Sequence, residues 1–136
     1  PDPSDGIDVL SKVGGLDLAA LTGFYLGCAY WRIPVVLDGL ITGAAALAAV
    51  KICPAVADYL LASHVSAEPA GQAVLSSLGL KAAIQAGMCL GEGTGAAAFF
   101  PMLDMALTIY SKMDTFQDIQ VKPYCHFEED KNEDKE

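Results

Sequence analysis

The sequence predicts an α/β fold: a parallel sheet covered by helices on both faces, of which this chain carries only part. Three observations predict it. Helical and strand-like stretches alternate in the order helix, strand, helix, strand, helix, which is the grammar of a parallel sheet. The two strand-like stretches are short and continuously apolar rather than alternating, as strands buried on both faces are. Only two such stretches are visible, too few to make a stable sheet alone.

The elements follow in order. Residues 1–13 (PDPSDGIDVLSKV) read as a polar, proline-marked lead-in, closed by Gly14-Gly15. Residues 16–31 have helical length, an acid in the first turn at Asp17, and apolar side chains nearly all round, the mark of a helix buried on most sides. Residues 33–37 (IPVVL) form the first strand, ending at Asp38-Gly39. Residues 41–52 make an alanine-rich helix stopped near Pro54, and 54–58 suit a short helical turn. Residues 59–62 (YLLA) form the second strand, followed by the polar segment 63–68 (SHVSAE). Pro69 fits the first turn of a helix running to about Leu78, and 81–86 is helix-like. A glycine cluster, Gly91-Glu92-Gly93-Thr94-Gly95, precedes a last helix over about 96–113, with Pro101 its awkward residue. No internal repeat is evident. The expected organisation is a lead-in over 1–13, a partial domain over 14–118 and an acidic, disordered tail over 119–136.

Composition narrows the function. Of 136 residues, 53% are hydrophobic and 18% charged, which excludes disorder for the body of the chain. The longest uncharged run lies between Asp17 and Arg32, short of the roughly 20 apolar residues a membrane helix needs, so no membrane span is expected. The net charge is −9, with 8 Lys+Arg against 17 Asp+Glu and no basic stripe, so nucleic acid is not an expected partner. The apolar excess points instead to surfaces made to be covered, by further chain or by self-association.

The four cysteines, Cys28, Cys53, Cys89 and Cys125, form no CxxC pair and no disulfide framework. Cys125-His126 offers two metal ligands without a second pair to close a site, so no metal is expected. With no signal-peptide pattern at residue 1, the expected setting is reducing and cytoplasmic.

In open α/β sheets ligands bind beyond the carboxyl ends of the strands. That rule selects Asp38 with Gly39 after the first strand, where glycine permits close approach. It selects Ser63, His64, Ser66 and Glu68 after the second strand, ahead of a helix start that favours an anion such as phosphate. Glu92, held between Gly91 and Gly93 before the last helix, suits a general base whose pKa is raised by partial burial. Each has a structural reading as well. Asp38 can cap the following helix or tie down a turn, and Ser66 can cap the helix near Pro69. His64 can be a hydrogen-bonded structural residue, and Glu92 can serve the helix dipole. The glycine cluster is neither a Walker A loop nor GxGxxG.

Four ordered stretches carry a resemblance: Gly14–Gly23 (GGLDLAALTG), Ile33–Gly39 (IPVVLDG), Ser63–Pro69 (SHVSAEP) and Leu90–Ala96 (LGEGTGA). Together they resemble the nicotinate-nucleotide:dimethylbenzimidazole phosphoribosyltransferases, over about Val9 to Phe116 and matching the C-terminal part of that family's chain. The resemblance implies a Rossmann-like sheet, a homodimer, and transfer of phosphoribose from nicotinate mononucleotide to 5,6-dimethylbenzimidazole. It implies no metal or redox cofactor. It places the general base on Glu92, a phosphate contact on Ser66, and Asp38 in the active site near the ribose or the incoming base, with Gly39, Gly91 and Gly93 lining the substrate. Val65 stands where the family motif has arginine, and no second histidine follows Pro69. The expectation is a catalytic segment that is inactive in isolation. The alternative is a non-catalytic relative that binds nucleotide or self-associates.

Overall fold

The structure, a computed structural model, describes residues 1–122, so the expectations for Cys125-His126 and for the acidic tail beyond residue 122 lie outside the described residues. Pro1–Leu103 form one compact unit and a second begins at Asp104.

The first unit opens with a helix, which corrects the lead-in reading of residues 1–13. Helix α1 spans Gly6–Val13. The Asp5 carboxylate caps it, accepting the amides of Ile7 at 2.9 Å and Asp8 at 3.1 Å. Lys12 pairs with Asp8 one turn away, and that contact holds the Asp8 carboxyl below the ordinary carboxylate range. Helix α2 (Leu16–Tyr30) ends in a left-handed Arg32, φ 57°, while the Ile33 amide returns to the Cys28 carbonyl at 2.8 Å.

Strand β1 covers only Val35–Leu37, shorter than the expected 33–37. Pro34 has no amide to give to a ladder. Helix α3 (Leu40–Ile52) and a 3-10 turn (Pro54–Tyr59) lead to strand β2, Leu60–Ala62. β1 and β2 pair in parallel, Val36 opposite Leu61, so β1–α3–β2 is the crossover unit the alternation implied. The α/β class and the parallel sheet are present as expected.

Beyond β2 the expectations need two corrections. Helix α4 spans Gly71–Ser77, so Pro69 precedes it instead of occupying its first turn. Residues 81–86 are not helical: Ile84 makes a parallel bridge with His64, its amide bonding the Ser63 carbonyl at 3.0 Å. Helix α5 runs Thr94–Lys112, passing through Pro101.

Alanine and glycine decide the packing. Ala45, Ala46 and Ala49 of α3 are fully buried with Tyr25, Leu37, Val56, Leu60 and Leu78. Side chains this small bring α2 close enough for Thr22 to donate its hydroxyl to the Ala45 carbonyl at 3.1 Å, and Tyr25 to the Thr42 carbonyl at 3.2 Å. A Cβ at Gly43 would sit 2.7 Å from Val74 Cγ1, so glycine there lets α4 approach α3. Phe24, Trp31 and Ile33 remain more than half exposed. No helix among the described residues is long and apolar enough to cross a membrane.

Burial pushes the Tyr25 phenol up to about 12, with Cys28 adding to the effect. The unfolded phenol ionises near ~10. The raised folded value therefore leaves stability level below that pH, and stability falls as pH rises from there toward 12. Urea unfolding of wild type and Tyr25→Phe should show the two curves diverging only across that window, with wild type losing more; parallel curves refute it.

Candidate active site

The site is built where both strands end. Asp38 follows β1 directly, and its carboxylate reaches across to the start of α5. Oδ1 accepts the amides of Gly95 at 2.8 Å and Ala96 at 3.1 Å, and Oδ2 accepts the amide of Gly93 at 3.2 Å. A helix start leaves its first amides without intrahelical partners and carries partial positive charge. A carboxylate meets both needs. Asp38 is thus a cap, though of α5 and not of the helix that follows it in sequence.

The loop that Asp38 holds is unusual backbone. Gly91, Glu92 and Gly93 are all left-handed, with φ of 77°, 55° and 77°. Glycine takes this region freely, whereas Glu92 stands there at a cost of about 1–2 kcal/mol. Gly95 has a different reason: a Cβ there would overlap the His64 ring and come within 2.9 Å of Asp38 Oδ1. Only glycine lets the first turn of α5 rest on these two side chains.

After β2, Ser63 and His64 are buried. The Ser63 hydroxyl donates to the Asp38 carbonyl at 3.2 Å and lies 3.0 Å from His64 Nδ1. Ser66 is buried and makes a local turn with Glu68: its hydroxyl donates to Glu68 Oε2 at 3.0 Å and accepts the Glu68 amide at 3.3 Å. It does not cap α4, which has no side-chain cap.

A cleft of about 440 Å³ brings these parts together. Asp38, Gly39, Ser66, Gly91, Glu92 and Gly93 all line it, so every site residue expected from the family motifs faces one space. His64 and Glu68, which the strand-end rule selected, line it too. Leu40, Ile41, Thr42, Cys89 and Leu90 complete the lining, and sequence reasoning singled out none of them for the site. Gly95 was missed as well; its signal was the third glycine of Gly91–Gly95, set at the helix start. One expectation fails: Glu92 is exposed, so this chain does not supply the partial burial predicted for it. Among the described residues no group of three or more metal-ligating side chains converges.

The comparisons with known proteins identify the class. A family model described as Phosphoribosyltransferase matches residues 1–121. The chain is 49% identical over 124 residues to the nicotinate-nucleotide–dimethylbenzimidazole phosphoribosyltransferase of Ruminiclostridium cellulolyticum, covering 91% of this chain and 35% of that protein. It is 51% identical over 121 residues to the enzyme of the same name from Desulforamulus reducens, covering 89% and 34%. The crystal structure of the Thermus thermophilus enzyme of that name superposes with a TM-score of 0.80 at 40% identity, covering 88% of this chain and 36% of that one. The chain belongs to the nicotinate-nucleotide–dimethylbenzimidazole phosphoribosyltransferase family. It spans about a third of the length of the relatives it matches.

Asp38→Asn removes the charge and one of the two accepting oxygens at the α5 start, a loss of about 1–3 kcal/mol. Amide exchange at Gly93, Gly95 and Ala96 should quicken while α3 amides, in a variant that stays folded, remain protected. Unchanged exchange at those three amides would remove Asp38 from the role.

Proposed function

We propose that this chain is the base-bearing segment of an enzyme that transfers phosphoribose from nicotinate mononucleotide to 5,6-dimethylbenzimidazole, releasing nicotinate and forming α-ribazole 5′-phosphate. The observation that carries the reading is the cleft at the strand ends, where Glu92 shares one space with Ser66 and the Asp38-held loop. The names of the relatives at about half identity support the substrates.

Glu92 takes the proton from one benzimidazole nitrogen. The lone pair on the other nitrogen attacks the anomeric carbon, and the bond to the nicotinate ring nitrogen breaks with inversion. The left-handed loop and the Asp38 bonds hold the backbone under Glu92 still, which places the base before substrate arrives. Ser66 turns its hydroxyl from Glu68 to the phosphate, and Gly39, Gly91 and Gly93 let the substrate approach the backbone closely. The rest of the enclosure, which excludes water, comes from protein beyond these residues.

The reading includes a homo-oligomer. Phe24, Trp31 and Ile33 stand 57%, 73% and 52% exposed on the first unit, an apolar surface that a second copy would cover. Light scattering of the purified chain at high concentration should show association, and a monomer there refutes it.

In the full-length enzyme carrying this segment, Glu92→Gln should lower turnover about 10²-fold or more, as loss of a general base does. The isolated 136-residue chain should not turn over. A near-wild-type rate in the variant takes the base role from Glu92.

A further inference from the structure

His64 lines the cleft beside Asp38, Ser66 and Glu92, yet only 6% of it is exposed. Its ring is wedged in place. The first turn of α5 rests on it at Gly95, where no Cβ fits, and a Cβ at Gly39 would lie 3.9 Å from its Cε1. Nδ1 bonds Ser63 Oγ at 3.0 Å, whereas Nε2 has no partner among the described residues. No fully buried side-chain polar atom among those residues lacks a partner. Nε2 is therefore not sealed, in a residue that lines the cleft.

The bonding around Ser63 sets what Nε2 can do. The Asp38 carbonyl only accepts, so the single Ser63 hydroxyl proton points to it, at 3.2 Å. Ser63 Oγ must then accept from His64, which puts the ring proton on Nδ1. With its one proton on Nδ1, the ring keeps a lone pair on Nε2. A lone pair repels phosphate oxygens and a carboxylate, which carry lone pairs themselves. It takes a donor.

We propose that His64 is a substrate-binding residue whose Nε2 accepts a hydrogen bond from a ribose hydroxyl of the nucleotide in the cleft. The proposal rests on the reading above that the cleft receives nicotinate mononucleotide. In that molecule the two ribose hydroxyls are the donors, since the phosphate and the nicotinate carboxylate accept. The wedged ring needs no rearrangement to make the bond, so little ordering cost opposes it.

Two measurements on the full 136-residue chain test it. The first is the ring nitrogen spectrum by 15N NMR at neutral pH, in a His126→Ala background that leaves one imidazole. It should show the proton on Nδ1, and the Nε2 signal should move when nicotinate mononucleotide is added. A ring protonated on Nε2, or on both nitrogens, overturns the proposal. The second is calorimetric titration of wild type and His64→Asn, which keeps a donor for Ser63 and has no acceptor at the Nε2 position, with nicotinate mononucleotide and its 2′- and 3′-deoxy analogues. One deoxy analogue should bind wild type about five- to tenfold more weakly. His64→Asn should weaken the parent nucleotide to a similar degree and lose nothing more on that analogue, because both changes remove the same bond. Tight binding with an unmoved Nε2 signal and additive losses overturns the role of His64 and leaves the proposed function standing. Absence of nucleotide binding by wild type overturns the proposal for His64, while the proposed function stands or falls on the Glu92 variant of the full-length enzyme.

Discussion

One carboxylate organises this molecule. Asp38 stands at the end of β1, and the amides it accepts belong to Gly93, Gly95 and Ala96, 55 to 58 residues further along the chain. Without that contact the start of α5 would lack partners for its first amides, and nothing polar would tie the Gly91–Gly95 loop to the sheet. The same three bonds place Glu92, because the loop that carries it hangs from them. Anchoring the helix and placing Glu92 are one interaction.

Everything near that contact is sized to let it form. Gly95 leaves room for His64 and Asp38, and Ser63 joins the Asp38 carbonyl to the His64 ring. The Ala45, Ala46 and Ala49 face of α3 lets α2 pack closely beneath, and Gly43 does the same for α4. Small side chains bring backbones together, and close backbones let short polar side chains bridge elements. The cost is bulk: few large apolar groups are interior, and several, Trp31 among them, face outward. The apolar composition thus goes with an exposed apolar surface, on a chain that spans about a third of the length of the relatives it matches.

The sequence made much of this legible, by identifiable signals. Strands β1 and β2 and helices α2 and α3 were readable from apolar runs bounded by Pro34, Asp38-Gly39, Pro54 and the polar Ser63–Glu68 segment. Helix α1 does not show in the lead-in reading because residues 1–13 are polar and marked by Pro1 and Pro3; the decisive signal, Asp5 as cap with Asp8 in the first turn, is short-range and present. Residues 81–86 have helical composition yet form no helix, because Ile84 finds backbone partners at Ser63 and Val65. Pairing between distant segments overrides local propensity. Ser66 was readable as polar and near a helix, but its partner, Glu68, was set by how the turn closed.

By itself the sequence determined the α/β alternation, the parallel pairing that such alternation requires, and which residue types stand at the strand ends. Those follow from local periodicity and from the rule that ligands meet a parallel sheet at its carboxyl edge. Tertiary structure alone decided which partner each polar group took. Asp38 could have capped the helix beside it; it caps one 55 residues away, because chain folding brings α5's unpaired amides to it and a distant contact leaves no mark on periodicity. Likewise only the fold shows that His64 is wedged, that Gly95 cannot bear a side chain, and that Glu92 stands exposed on a left-handed loop. Covalent order dictates which elements form; the geometry of their meeting dictates what their side chains do.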